Sequence, residues 1–365
     1  RLAGAAKEIM NMYRIQTMNK ISPVGLNRFD AALYEVGDEV QDPQGILVRS
    51  AKLLDMEFNP SLLAIARAGV GVNNIPLDRC AAAGIPVFST PGANANAVKE
   101  LVVCAMLMSS RDIPGAIRWV REQAASGVEV ATVVEKGKSA FVGPELYKKT
   151  LGIIGLGAIG SIVANTAISL GMDVYGYDPF LSVDTALRLD RHVHVVKDIN
   201  DLYKRADYVT LHIHYTGKTA HMIDADAIAA MKRGVRVINL ARGEIVDDEA
   251  ILAALDTGKV AVYVTDFPNN RLLTAPHVIA MPHLGASTPE SEQNCAAMAV
   301  DELTDYLENG NIRRSVNLPD MVMDRSGVER LCILHKNVPG MLANITSLFG
   351  RDGVNVENLS NKSRG

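Results

Sequence analysis

The sequence is poor in the features that mark secreted, fibrous, membrane-spanning and nucleic-acid-binding proteins. Only 4 of its 365 residues are cysteine. Cys80, Cys104, Cys295 and Cys332 lie far apart, with no CxxC or CxH spacing, which argues against a disulfide framework or a zinc site and fits a reducing compartment. Glycine (29) and proline (15) are too few and too scattered for a collagen-like or low-complexity chain. Excess charge is missing too: 37 Lys and Arg against 41 Asp and Glu leave a net charge of −4, no electrostatic footprint for DNA or RNA. The longest apolar stretches, such as 101–108, fall well short of the roughly 18 residues a bilayer span needs. No secretory core follows the first basic residue. A soluble, cytoplasmic, globular protein without nucleic-acid or membrane partners is expected.

What remains is an alternation of short apolar runs with helical periodicity. At roughly 150 residues per domain the length suggests two to three domains. Residues 1–11 read as an extension outside the fold. From 12 onward, YRIQTM, GILVRS, LLAIARAG and IPVFST read as strands, and AVKELVVCAMLMSSR (97–111) has the period of a long buried helix. Residues 121–150 are polar and Gly-containing and read as a connector. The alternation then resumes with TLGIIG, DVYGYD, YVTLHI, RVINLA, VAVYVTDF and HVIAMPH, separated by helices. Such a pattern predicts an α/β fold of two doubly wound parallel sheets. The expected division is a discontinuous domain over 12–96 and 287–318, a Rossmann domain over 97–286, and a strand–helix–strand tail over 329–365. Residues 293–307 read as an amphipathic helix and 313–320 as an exit linker.

The segment Gly155-Leu156-Gly157-Ala158-Ile159-Gly160 follows an apolar strand and opens a helix. In that context the first glycine permits a tight turn, the second lets backbone approach a pyrophosphate, and the third lets the helix pack on the strand. Ala158 and Ile159 offer amides at the helix N-terminus for the pyrophosphate. Asp178, 18 residues beyond Gly160 at the end of the next strand, is placed to accept bonds from the ribose hydroxyls. A carboxylate there repels a 2′-phosphate, so the expected cofactor is NAD rather than NADP.

Two further strand ends carry unusual polar residues, N239-LARGEIVD-247 and M281-PHLGAST-288. Together with GIIGLGAIG, YGYDP and YVTLHI, in that order, they resemble the D-2-hydroxyacid dehydrogenase family over roughly residues 12–320. The resemblance implies a flavodoxin-like substrate domain beside the NAD domain, with the cleft between them. It further implies that Arg242 clamps the substrate carboxylate and His283 exchanges the proton of the hydroxyl. Those roles suit the chemistry: a guanidinium is a permanent bidentate partner for a carboxylate, and an imidazole titrates near neutral pH. Ile213, Leu240, Ala241, Gly285 and Ala286 are implied to line the dinucleotide, and Asp266 to contact the nicotinamide carboxamide. One departure stands out. The family places a glutamate before this histidine as its partner, whereas the segment here reads V264-TDFPNNR-271 and holds none. Asp266 serving both roles is left open. His214 stands where the family has proline. The pairs His192/His194 and His212/His214 lack a third ligand of suitable spacing and are ascribed to strand alternation, so no metal is expected.

Substrate choice turns on V48-RSAK-52. In the branch of the family acting on 3-phosphoglycerate, a strand ending in Arg-Ser with a basic residue shortly after reaches the phosphate. Arg49, Ser50 and Lys52 would then bind a phosphorylated 2-hydroxy acid, with amides of Val70 and Gly71 near its carboxylate and Asn94, with Asn96, lining the cleft. The implied reaction oxidises 3-phosphoglycerate to 3-phosphohydroxypyruvate, opening L-serine synthesis. HKNVPGML and its continuation (335–360) resemble the first half of an ACT regulatory domain, implying L-serine as effector. A homodimer or homotetramer is expected, with helix 97–118 and Trp119 at the interface. A glyoxylate or hydroxypyruvate reductase, and an NAD-sensing corepressor, remain as alternatives.

Overall fold

The computed structural model describes residues 12–326 and 329–363; the extension expected over 1–11 lies outside the described residues. Two units divide the chain, Arg1–Ala93 with Pro289–Gly365 and Asn94–Thr288. In the first, β1 (Tyr13–Met18) is followed by the short α1 (Pro23–Leu26), β2 (Tyr34–Gly37), β3 (Gly45–Val48), β4 (Ala64–Arg67), α2 (Leu77–Ala82) and β5 (Val87–Phe88). The strands pair in parallel in the order β2-β1-β3-β4-β5, the flavodoxin-like order. Strict alternation splits their side chains between two cores. Ile46, Val48, Ile65 and Val87 join one face with Leu53, Ile75 and Cys80; Ile15, Leu47, Ala64, Ala66 and Phe88 join the other. All four residues of β3 are buried, because a parallel strand covered on both faces has no polar side to offer.

The second unit opens with α3 (Ala95–Ser110), α4 (Ile113–Ala125) and α5 (Val130–Gly137). There follow β6 (Thr150–Ile154), α6 (Ala158–Ser169), β7 (Asp173–Tyr177), α7 (Val183–Ala186), β8 (His194–Val196), α8 (Ile199–Tyr203) and β9 (Tyr208–Leu211). The unit ends with α9 (Ala225–Ala230), β10 (Val235–Asn239), α10 (Asp248–Asp256), β11 (Val260–Thr265) and β12 (Val278–Ala280). Its sheet has seven strands in the order β12-β11-β10-β9-β6-β7-β8, a Rossmann order with one strand added at the β12 edge. The order reverses between β6 and β9, and ligands of open α/β sheets bind beyond the strand carboxyl ends at such a switch.

The register decides what meets there. Ile154 pairs with Tyr177 and with Leu211, Leu211 with Asn239, Asn239 with Thr265, and Thr265 with Ala280. Six strands therefore end in line. The segments that follow them, beginning at Gly155, Asp178, His212, Leu240, Asp266 and Met281, all leave the sheet at one edge.

Back in the first unit, α11 (Pro289–Asn309) buries Cys295, Ala296, Ala299, Val300 and Leu303 against that unit's core. It begins before residue 293 because Ser291 is already buried in its first turn. Three sequence expectations need correction. The stretch 121–150 is not a plain connector, since α4, α5 and a 3-10 turn at Lys138–Phe141 occupy most of it. Neither helix buries a residue fully. Of the four paired histidines only His194 lies in a strand; His212 and His214 follow the end of β9. In the tail, the helix α12 (Met341–Arg351) forms, but 329–338 and 353–363 contain no strand among the described residues. Leu331, Val338, Leu348 and Val354 stay exposed. A strand needs a neighbouring edge to pair with, and about 35 residues bury too little surface to supply one.

Candidate active site

The glycine turn is built by sterics. Gly155 adopts φ +92°, and a Cβ there would lie 2.5 Å from the His212 carbonyl oxygen. Its amide donates to the Tyr177 carbonyl at 2.8 Å, so the turn is held between β7 and the chain leaving β9. A Cβ on Gly160 would overlap the Gly155 carbonyl oxygen, which is how α6 comes to pack so near β6. Around Gly157 the space is open: a Cβ added there would meet nothing within 4 Å. Gly157 and Ala158 are exposed, and Ile159 half-buried. The first-turn amides of α6 have no helical acceptors, as at any helix start.

Asp178 leaves β7 beside this turn. One carboxylate oxygen accepts the Leu156 amide at 2.9 Å and the other accepts the Phe180 amide at 2.8 Å. Both oxygens are thus fixed in direction, and each keeps a lone pair for a further donor. Ile213 packs its side chain towards Gly155. Leu240 is buried and Ala241 half-buried, with the Ala241 amide donating to Asn239 Oδ1 at 3.2 Å.

Asn239 organises the segment that carries Arg242. It is fully buried at the end of β10, and its Nδ2 donates to the Arg242 carbonyl at 2.8 Å. In the sequence Asn239 shows only as a polar amide closing an otherwise apolar strand, with no role of its own. The Arg242 guanidinium donates from Nη1 to the Ala241 carbonyl at 2.6 Å, and among the described residues no carboxylate pairs with it. Its central carbon stands 5.9 Å from the centroid of the Phe267 ring.

His283 is exposed beyond β12. Its ring lies 4.7 Å from that of Phe267, tilted by 52°, and it has no carboxylate within hydrogen-bond reach among the described residues. Asp266, only 1% exposed, precedes Phe267, and neither of its carboxylate oxygens finds a full hydrogen bond among the described residues. Burial raises its pKa, opposed by the charge of His283, by the Gly285 and Asp266 amides, and by the charge of Arg242. Gly285 is buried against Asp266 and Val98, and Ala286 is half-buried beside it. His212, behind the glycine turn, bonds Thr210 Oγ1 through Nε2 at 3.1 Å. Burial lowers its pKa to about 4, so its imidazole is neutral at physiological pH.

In the first unit, Arg49 follows β3 and its Nη2 meets Glu292 Oε1 of α11 at 2.5 Å. Ser50 donates to Asn19 Oδ1 from its amide at 3.0 Å and from Oγ at 3.4 Å. Lys52 is exposed and makes no ion pair among the described residues. Val70 and Gly71, both half-buried, follow β4, and their amides have no backbone acceptor among the described residues. Asn94 caps α3 without a side-chain bond, its buried Oδ1 unpartnered among the described residues, while Asn96 bonds Glu100 at 2.9 Å.

A seven-stranded parallel sheet with a glycine turn at its switch point and a carboxylate closing the next strand defines a dinucleotide-binding Rossmann protein. Comparison with known proteins narrows the class. Residues 103–285 match the family model described as D-isomer specific 2-hydroxyacid dehydrogenase, NAD binding domain. A D-3-phosphoglycerate dehydrogenase of Haemophilus influenzae is 33% identical over 337 residues, covering 88% of this chain and 78% of that protein. One from Methanocaldococcus jannaschii is 35% identical over 302 residues, covering 80% of this chain and 55% of that protein; the chain spans little more than half of that relative's length. Among solved structures, the NAD+-bound 3-phosphoglycerate dehydrogenase of Entamoeba histolytica is similar with a TM-score of 0.65 at 25% identity, covering 84% of this chain and 99% of that one. The chain belongs to the D-isomer specific 2-hydroxyacid dehydrogenase family and carries that family's NAD-binding domain. Among the described residues, no helix is long and apolar enough to cross a membrane.

Proposed function

We propose that this protein oxidises 3-phosphoglycerate to 3-phosphohydroxypyruvate with NAD as hydride acceptor, the opening reaction of L-serine synthesis. One observation carries the reading: six strands end in register, and the glycine turn, Asp178, Arg242, Asp266 and His283 all lie on segments that leave this one edge of the sheet. The residues fit the cofactor. The space beside Gly157 admits a group pressed against backbone, and the bond-fixed Asp178 carboxylate faces any ribose donor. Asp266, with buried oxygens short of donors, can take one from a carboxamide. Ala158 and Ile159 would offer amides to the pyrophosphate, and Ile213, Leu240, Ala241, Gly285 and Ala286 would line its path. When bound, NAD takes up the hydride leaving the substrate's C2.

The chain's own groups handle the rest. Arg242, with N–H groups to spare beyond its single internal bond, would hold the substrate carboxylate in a two-pronged pair. His283 would take the hydroxyl proton on an imidazole nitrogen as the carbonyl forms, and return it in the reverse direction. The free amides of Val70 and Gly71 support a role at the carboxylate, and Asn94 at the substrate. Arg49, Ser50 and Lys52 supply the donors for a phosphate dianion. A second reading, a glyoxylate or hydroxypyruvate reductase, draws on the fact that Arg49 is already paired with Glu292.

NADH production from 3-phosphoglycerate by the purified protein tests the proposal, with phosphohydroxypyruvate and hydroxypyruvate compared in reverse. Preference for the phosphorylated keto acid is expected, and its loss in Arg242→Ala. Preference for hydroxypyruvate would favour the second reading. Turnover of neither, with NAD still bound, would leave a nucleotide-sensing binding protein.

The assembly is proposed to be a homodimer or homotetramer. In support, Met108, Ile113, Ile117 and Ala125 line an open apolar groove of about 620 Å³ along α3 and α4. Trp119 is spoken for within its own unit, against Phe141 and Gly137. The tail keeps α12 and its preceding loop, and L-serine is proposed as its ligand; a rate unchanged by millimolar L-serine in the intact protein would remove that role. A cytoplasmic location is proposed on the four cysteines, all unbridged.

A further inference from the structure

The pair between Arg49 and Glu292 joins a strand end to the first turn of a helix. Arg49 is held from behind, since Arg67 Nε donates to the Arg49 carbonyl at 3.1 Å. Glu292 comes from α11 with its oxygen 2.5 Å from Arg49 Nη2, and both side chains are 43% exposed. Lys20, Ser22, Arg49 and Glu292 line one small cleft of the first unit. The guanidinium that the proposed function assigns to a phosphate therefore already faces a tethered carboxylate. Any incoming anion must displace that carboxylate from Arg49 and tolerate its charge nearby.

We propose that Glu292 is an internal competitor for Arg49, a carboxylate that a phosphate dianion must displace to bind and that a ligand without a phosphate leaves in place. This rests on the reading of Arg49 as a phosphate ligand. A dianion attracts a guanidinium about twice as strongly as a carboxylate at equal distance, so it can win the exchange. A neutral hydroxyl cannot, and for such a ligand the pair stays closed. The position suits a displaceable group: the pair is half in water, where ion pairs are weak and screened by salt. It also gains from the positive end of α11, which keeps the carboxylate near its place when Arg49 lets go.

The test is calorimetric titration of the intact protein with 3-phosphoglycerate and, separately, with glycerate, for wild type, Glu292→Gln and Asp301→Asn. Asp301 lies on the same helix and pairs with Arg28, so its variant removes an equal charge elsewhere. Glu292→Gln is expected to bind 3-phosphoglycerate about fivefold more tightly, with glycerate unchanged and Asp301→Asn like wild type. In turnover the gain would fall on KM with kcat unaltered, since a remote phosphate is held equally in ground and transition states. Equal or weaker binding of 3-phosphoglycerate by Glu292→Gln would overturn the proposal, because Glu292 would then be orienting Arg49. A matching gain with glycerate would overturn it too. Wild-type protein that shows the expected binding pattern yet oxidises none of the ligand would remove the proposed function and leave the competitor in place.

Discussion

The ring of Phe267 packs on the imidazole of His283 with centroids 4.7 Å apart, and Arg242 approaches the same ring from another side at 5.9 Å. One aromatic side chain touches both groups proposed for the chemistry. His283 is exposed and has no carboxylate bonded to its ring among the described residues, so packing against Phe267 is what limits its rotation. Phe267 is itself placed by its amide, which donates to Thr265 Oγ1 at 3.1 Å. Replacing Phe267 by Leu keeps bulk but removes the flat face. The expected result is about a tenfold loss in kcat, near 1.4 kcal/mol, with NAD affinity little changed. Phe267→Tyr should recover most of the rate. Steady-state kinetics with an NAD titration would check it; an unchanged rate in Phe267→Leu would mean that the ring only fills space.

The three glycines of the turn should separate stability from cofactor binding. Gly155→Ala puts a side chain at φ +92° against the His212 carbonyl, and Gly160→Ala drives one into the Gly155 carbonyl. Both should lower the melting temperature, with a cost of about 1–3 kcal/mol. Gly157 has an ordinary φ of −67° and open space at its Cβ. Gly157→Ala should therefore melt like wild type while NAD binding weakens tenfold or more, because the methyl occupies room that the pyrophosphate needs. Thermal melts with and without NAD distinguish the cases. An unchanged NAD-induced shift in Gly157→Ala would contradict the assigned role of the turn.

Much of this is legible in the sequence alone. Apolar runs such as GILV and TLGII have no polar alternation, and only strands covered on both faces tolerate that, so the parallel sheets follow from the runs themselves. The glycine turn is legible because glycine spacing reports backbone sterics directly. Contacts between distant segments are not. Nothing in PHLGAS indicates that its histidine rests on the phenylalanine of TDFP, and nothing in VRSAK that its arginine meets a glutamate far along the chain. The helices α4 and α5 are a different case: their apolar and polar residues separate onto opposite faces at helical spacing, but polar residues and the glycines at 127 and 137 make the stretch look like a connector. The tail misleads in the opposite sense. LCIL and VNV have strand composition, but composition cannot provide the neighbouring edge that a strand pairs with.

Cofactor choice should follow the charge of Asp178. Its oxygens are held by the amides of Leu156 and Phe180, so the carboxylate cannot swing away from a 2′-phosphate. Asp178→Asn keeps one acceptor and removes the charge. The ratio of kcat/KM for NAD over NADP is expected to fall about tenfold, or ~1.4 kcal/mol. Initial rates with each cofactor would measure it, and an unaltered ratio would show that discrimination lies elsewhere.

In the first unit, Glu302 gives the protein a pH-dependent stability of unusual sign. Its side chain is buried in α11 and bonds Arg314 through Oε1 at 2.9 Å, while Oε2 has no partner among the described residues. Burial raises its pKa to about 7 from an ordinary 4.5, against the bond and charge of Arg314. A carboxyl that holds its proton more tightly when folded favours the folded state at low pH. That contribution is complete below about 4.5, declines as the pH rises, and is gone once the pH passes about 7. Glu302→Gln carries no proton to lose, and Arg314, nearly half exposed, stays hydrated without its partner. Between pH values of about 5 and 8, the wild type should lose roughly 2 kcal/mol more stability than Glu302→Gln. Urea unfolding of both proteins at the two pH values gives the difference directly. Parallel pH profiles would place the proton on some other group.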